Sequence, residues 1–170
     1  NKFNFFMSSI ITVGSVALDS INTASNKAHS IIGGSATHFS IAASLFTKVK
    51  LVGIIGDDFP DEGLAVFKNN NINIENLQKV SGTTFSWSCR YNADFSHRET
   101  LSTELGVFAN FNPTKIIGED KNDYLFLANI HPNLQNQVLE LSGEKKLFAC
   151  DTMNLWIDLD PNGLYEVIKN

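Results

Sequence analysis

The chain has 170 residues, and at 43% hydrophobic with 18% charged it carries enough apolar material for one folded domain, which excludes global disorder. Its 13 Lys+Arg against 18 Asp+Glu leave a net charge of −5, which argues against the basic stripe of a nucleic-acid binder but not against a small anion held by backbone amides. No apolar run reaches the roughly 18 residues of a membrane span. Its two cysteines, Cys89 and Cys150, are too few for a disulfide framework and read as the reduced thiols of a cytoplasmic protein.

The opening NKFNFFMSSIITVGSVALD has Lys2 before an apolar run. Ser, Thr and Gly interrupt that run, and no small-x-small cleavage site follows, so it does not read as a signal peptide. Asn1 is not an initiator, and Met7 is a candidate start. At the other end YEVIKN stops directly after an apolar segment, as a truncated chain would.

In chain order, the β-rich run at 10–16 (IITVGSV) predicts a buried strand ending in a glycine turn. Residues 21–32 alternate weakly and predict a hairpin around Ser25 and Asn26. Gly33-Gly34-Ser35 then opens a helix over 36–46, with Ser35 as its N-cap. KLVGII at 50–55 is the next buried strand, GDD at 56–58 turns out of it, and a second helix is expected over 59–70 with Pro60 in its first turn.

Strand, helix, strand, helix is the pattern of a parallel sheet with helical crossovers. The middle departs from it. TTFSWSCRY at 83–91 alternates, 92–98 is a polar turn, and 99–103 returns as a partner strand. Together with the hairpin these segments predict a small, half-exposed antiparallel sheet, with Phe85, Trp87 and Cys89 on one face of their strand. The α/β pattern resumes with a strand at 124–128, a helix near 133–141, a strand at 147–150 (LFAC) and a helix from Trp156.

The candidate functional residues lie where strands end. Gly14 and Asp19 follow the first strand, at the edge where open α/β sheets bind ligands. A carboxylate there accepts two hydroxyl hydrogens at once; the alternative is a turn or cap residue. The single glycine of VGSVALD is not a dinucleotide fingerprint. Gly33 and Gly34 before a helix start permit close backbone approach to a ligand, with the helix amides facing it. His38, one turn in, is either a donor to that pocket or a structural residue. Asp57 and Asp58 suggest a magnesium pair, but a cap on the following helix explains them as well, and the cap is preferred. His29, His38, His97, His131, Cys89 and Cys150 lack the spacing of a structural zinc site, so no metal site is expected.

Read together, VGSVALD at 13–19, IIGGSATHFSIAAS at 31–44, VGIIGDDFPDEG at 52–63 and DTMNLWI at 151–157 resemble the ribokinase-like (pfkB-type) carbohydrate kinases, over the N-terminal portion of a family member. The resemblance implies a three-layer α/β/α sandwich with a small β lid, truncated on its C-terminal side. Residues 1–170 would be the N-terminal portion of a kinase domain, with lid strands within about 20–32 and 83–103. It places Asp19 as the acid that binds sugar hydroxyls and Gly33 and Gly34 as the pair flanking the sugar pocket. Asp151 or Asn154 would lie near the transferred phosphate. His38 stands where the family has a substrate-contacting Asn, so the acceptor's identity stays open.

The family's DTxGAGD segment, with its catalytic Asp and anion hole, is absent, since Asp151-Thr152 runs on into Met153-Asn154. No catalytic residue is therefore assigned within the chain, and 1–170 alone is expected to be inactive. The function implied for the intact protein is ATP-dependent phosphorylation of a hydroxyl on a sugar, sugar derivative or nucleoside. ATP and Mg2+ would be bound largely elsewhere, and a homodimer through the lid is compatible with the family. Two alternatives are a non-catalytic sugar or nucleoside sensor of the same fold and an inactive α/β fragment.

Overall fold

The computed structural model describes residues 8–113, 116, 118–121 and 123–170. The short β-branched strand β1 (Ser9–Val13) is followed by the hairpin β2 (Ala17–Asn22) and β3 (Lys27–Gly33). Helix α1 (Ser35–Ser44), strand β4 (Lys48–Ile55), helix α2 (Asp61–Asn69) and strand β5 (Ile72–Lys79) come next. Strands β6 (Ser86–Tyr91) and β7 (Arg98–Glu104) lead through a 3-10 turn at Gly106–Asn110 to strand β8 (Tyr124–Leu127). The chain ends with helix α3 (Pro132–Leu141), strand β9 (Leu147–Cys150) and helices α4 (Asn154–Leu159) and α5 (Pro161–Lys169).

The main sheet has five strands in the order β5-β4-β1-β8-β9, every pairing parallel. A parallel sheet needs apolar cover on both faces, and alternation along β1 and β4 supplies it. Val49, Leu51 and Ile55 join Phe59, Phe67 and Ala36 under α1 and α2. Ile11, Val13, Val52 and Ile54 join Leu125, Leu127, Val138 and Val167 under α3 and α5. The result is a three-layer α/β/α sandwich, the architecture expected. Among the described residues, no helix is long and apolar enough to cross a membrane.

The second sheet has four strands in the order β3-β2-β6-β7. It joins the hairpin segment to the 83–103 segment, but it is mixed rather than antiparallel, because β2 and β6 run parallel. Both strands leave the same C-terminal edge of the main sheet, β2 after β1 and β6 after β5, so they set out in the same direction.

Other expectations shift. The first strand stops at Val13, and β2 begins at Ala17, which puts Asp19 inside a strand instead of a turn. Helix α2 starts at Asp61 with Pro60 at its N-cap. The helix expected from Trp156 is two helices, broken where Asp160 accepts from Gly163 N and Pro161 starts α5. Strand β5 was not expected. Its sequence INIENLQK is polar because it forms an edge of the main sheet, half uncovered. Met7 and the residues before it lie outside the described residues.

A polar knot closes the opposite end of the sheet. Asp123 is 3% exposed and accepts from Ser9 N (3.1 Å), Ser9 Oγ (2.6 Å), Asp120 N (2.9 Å) and Lys50 Nζ (2.7 Å). Burial alone would push its carboxyl up, but the Lys50 ammonium and the Ser9 and Asp120 donors hold it below the ordinary carboxylate range.

Candidate functional site

The C-terminal edge of the main sheet is where β1 hands the chain to the second sheet. At Gly14 an added Cβ would meet Ala128 Cβ at 2.7 Å and Ala36 Cβ at 3.2 Å, so only glycine lets β1 turn between β8 and α1. Ser15 then fastens the start of α1. Its Oγ accepts from Ser35 N (3.1 Å) and its carbonyl from Ala36 N (3.1 Å). The expected N-cap, Ser35, is instead the first helical residue. Gly34 takes the cap position with φ 96°, a left-handed conformation natural to glycine. Ser35 Oγ is thereby freed to donate to Asn129 O at 3.1 Å. The Ser35 and Ala36 amides, two of those expected to face a ligand, are taken by Ser15.

Asp19 lies on β2 with Ile31 of β3 on one side and Trp87 of β6 on the other. Its carboxylate packs directly on the Gly33 backbone, and a Cβ built on Gly33 would overlap it. Burial pushes Asp19 above the ordinary carboxylate range, opposed by the nearby His38 imidazole and the Gly34 N–H. His38 is exposed on α1. Asp19, Gly33, Gly34 and His38 thus form one group at the junction of the two sheets. Here Gly33 seats the carboxylate, while Gly34 is pressed against the Ser15 carbonyl.

Asp151 and Asn154 stand apart, two strands along the same edge at the end of β9 and the start of α4, and both are exposed. The backbone around them is tied in. Buried Gln135 donates through Nε2 to Ala128 O and Asp151 O, each at 3.0 Å, which joins the ends of β8 and β9.

Sequence reasoning missed Asn129. It follows β8 on this edge, and its side chain accepts from Trp156 Nε1 at 2.8 Å. Its place directly after the YLFLA run was the available signal. Ser15 was passed over because no pattern marks a serine that caps a helix 20 residues away.

The preferred role of Asp57 and Asp58 as helix caps is corrected. Asp58 Oδ1 accepts from Thr84 N and Thr84 Oγ1, both at 2.7 Å, while Thr84 Oγ1 accepts from Gly56 N at 2.9 Å. Asp57 accepts from Gly82 N at 3.4 Å. These carboxylates pin the segment that feeds β6 onto the end of β4. Among the described residues, no group of three or more His, Cys, Asp or Glu could hold a metal ion. Cys89 is buried and Cys150 exposed, and both are free.

No family model and no curated protein sequence matches the chain. Solved structures do. The nucleoside kinase of Methanocaldococcus jannaschii, an archaeal member of the ribokinase family, superposes with a TM-score of 0.71 at 21% identity, over 96% of this chain and 58% of its own. The Burkholderia thailandensis nucleoside kinase in complex with inosine gives 0.76 at 14% identity, over 94% and 56%. Arabidopsis thaliana ribokinase complexed with ribose and ATP gives 0.60 at 16% identity, over 79% and 50%. The chain therefore spans little more than half the length of these kinases, and over that span it has the ribokinase fold.

Proposed function

We propose that the chain is the acceptor-binding part of an ATP-dependent kinase that phosphorylates a hydroxyl of a sugar, sugar derivative or nucleoside. The observation that carries this is the seating of Asp19. A half-buried carboxylate is packed on the Gly33 backbone, where two sheets meet at the C-terminal edge of a parallel sheet. Its lone pairs suit two adjacent hydroxyls, each through a charge-assisted bond. His38 offers a further donor or acceptor beside it, and the second sheet acts as a lid that excludes water. The neighbours' names agree with this class of acceptor, being nucleoside kinases and ribokinases.

On this reading Asp151 and Asn154 lie on the phosphate side of the cleft. ATP, its magnesium, the general base and the anion-stabilising amides come from parts of the protein other than these residues. Calorimetric titration of residues 1–170 with ribose, fructose and inosine tests the pocket. Saturable 1:1 binding of at least one is expected. Failure of all three to bind, under conditions where the chain is folded by circular dichroism, would refute the assignment.

A further inference from the structure

The face of the second sheet that carries Asp19 holds a second charged group of opposite sign. Partners across a parallel pair, and across the non-bulged positions of an antiparallel one, point to the same side. Asp19 is level with Trp87, and Ile21 with Cys89, across β2 and β6. Across β6 and β7, Cys89 is level with Thr100 and Tyr91 with Arg98. Alternation along β6 then puts Trp87, Cys89 and Tyr91 on one face with Asp19, Thr100 and Arg98. Two contacts bear this out. Trp87 Nε1 lies 3.3 Å from Thr100 Oγ1, and the Arg98 guanidinium carbon lies 4.8 Å from the Trp87 ring centroid. Buried Cys89 feels the charges of both Arg98 and Asp19, so the two flank one surface.

Arg98 is held in place without being neutralised. Stacking on Trp87 fixes the plane of the guanidinium and leaves its N–H edges open. Among the described residues Arg98 forms no salt bridge, whereas Arg90, on the opposite face, pairs with Glu99 at 3.8 Å. A guanidinium pre-oriented by an aromatic ring presents the fork that matches a carboxylate or phosphate bidentately. With its ring already covered by Arg98, Trp87 is better suited to orienting that cation than to stacking a base. Asp19 on β2 and Arg98 on β7 lie two strands apart on this face, and the guanidinium reaches back over the ring of Trp87, the residue level with Asp19 on the strand between them, an arrangement suited to a ligand bound by its hydroxyls at one end and a charged group at the other.

We propose that Arg98, oriented by Trp87, is an anion subsite facing Asp19, so that the acceptor is a sugar or polyol bearing a carboxylate or phosphate at the end remote from Asp19. This rests on the acceptor-pocket reading above and narrows it to anionic acceptors.

The test is calorimetric titration of the 1–170 chain with ribose, ribonate and ribose 5-phosphate, for the wild type, Arg98→Ala, Arg98→Lys and Arg90→Ala. The expected result is that ribonate or ribose 5-phosphate binds at least tenfold tighter than ribose, and the tighter of the two identifies the charged group. Arg98→Ala should lower that preference at least tenfold and flatten its salt dependence. Arg98→Lys, which keeps the charge but loses the fork, should fall between, and Arg90→Ala should leave the preference unchanged. Ribose bound as tightly as both anions, or a preference indifferent to Arg98→Ala, would overturn the subsite while leaving the acceptor pocket standing. Failure of every ligand, neutral and anionic, to bind would overturn both.

Discussion

Gly33→Ala isolates the contact that defines the site. The three atoms nearest to a Cβ built at Gly33 all belong to the Asp19 carboxylate, and Gly33 is not among the glycines with positive φ. The substitution should therefore cost stability through Asp19 alone and not through backbone strain. Overpacking of this kind costs about 1–3 kcal/mol. With a urea m-value of about 1–3 kcal/mol per molar, a loss of about 2 kcal/mol moves the midpoint by roughly 1 M. Asp19→Ala removes the three atoms nearest to the new methyl, so Gly33→Ala should cost much less in that background. The double-mutant cycle then gives a coupling of about 1–3 kcal/mol. Gly34→Ala is the contrast. Its φ of 96° and the approach of Ser15 O penalise it whatever stands at position 19. Urea unfolding of the single and double variants measures all of this. Equal cost of Gly33→Ala in both backgrounds would refute the claim that the glycine exists to seat the carboxylate.

Asp123→Asn should destabilise the fold by about 3–5 kcal/mol at neutral pH, because it leaves the Lys50 ammonium without its buried partner. Because the folded-state pKa of Asp123 is depressed, its contribution is full above the unfolded value near 4 and is lost as the pH falls through the folded one. The stability gap between wild type and variant, followed by urea titration from pH 7 to pH 2.5, should therefore stay constant at first and then narrow below about pH 4. Thr84→Val keeps the shape of a 2%-exposed side chain but strands Gly56 N and removes one donor to Asp58, and should cost about 1–3 kcal/mol by the same assay. Residues 1–170 alone should transfer no phosphate from ATP to any sugar in a coupled assay. A general base alone typically contributes 10²–10⁴-fold, and none is assigned beside Asp19; sugar-stimulated turnover would contradict the division of roles.

The sandwich was legible because its central strands are apolar on both faces. IITV and KLVGII could hardly be anything but buried parallel strands, and LFAC emerged with the bounds expected. Strand β5 was not legible, because an edge strand with one wet side has the composition of a loop. The site was half legible. Asp19, Gly33, Gly34 and His38 were all singled out, but the packing of Asp19 on Gly33 was not, since no local pattern announces a contact between residues on two different strands. The Asp57-Asp58 pair misled for a related reason. A carboxylate after a strand is a natural helix cap, and only the tertiary approach of Thr84, 26 residues on, claims it instead. Arg98 was invisible, because its place on the same face as Asp19 depends on a bulge in the β6–β7 pairing that no local pattern announces.

The proposed function stands or falls on Asp19 binding the acceptor instead of serving only as a strand or turn residue. Its most direct test is acceptor affinity and unfolding free energy measured side by side on Asp19→Ala and Asp19→Asn. Two charge-assisted hydroxyl bonds at about 1.5–3 kcal/mol each predict at least a roughly 10²-fold loss of affinity for Asp19→Ala, with Asp19→Asn intermediate. Stability at neutral pH should hold or rise, because burial disfavours the charge that both substitutions remove. Unchanged acceptor affinity in Asp19→Ala, whatever its stability, would rule out that role for Asp19.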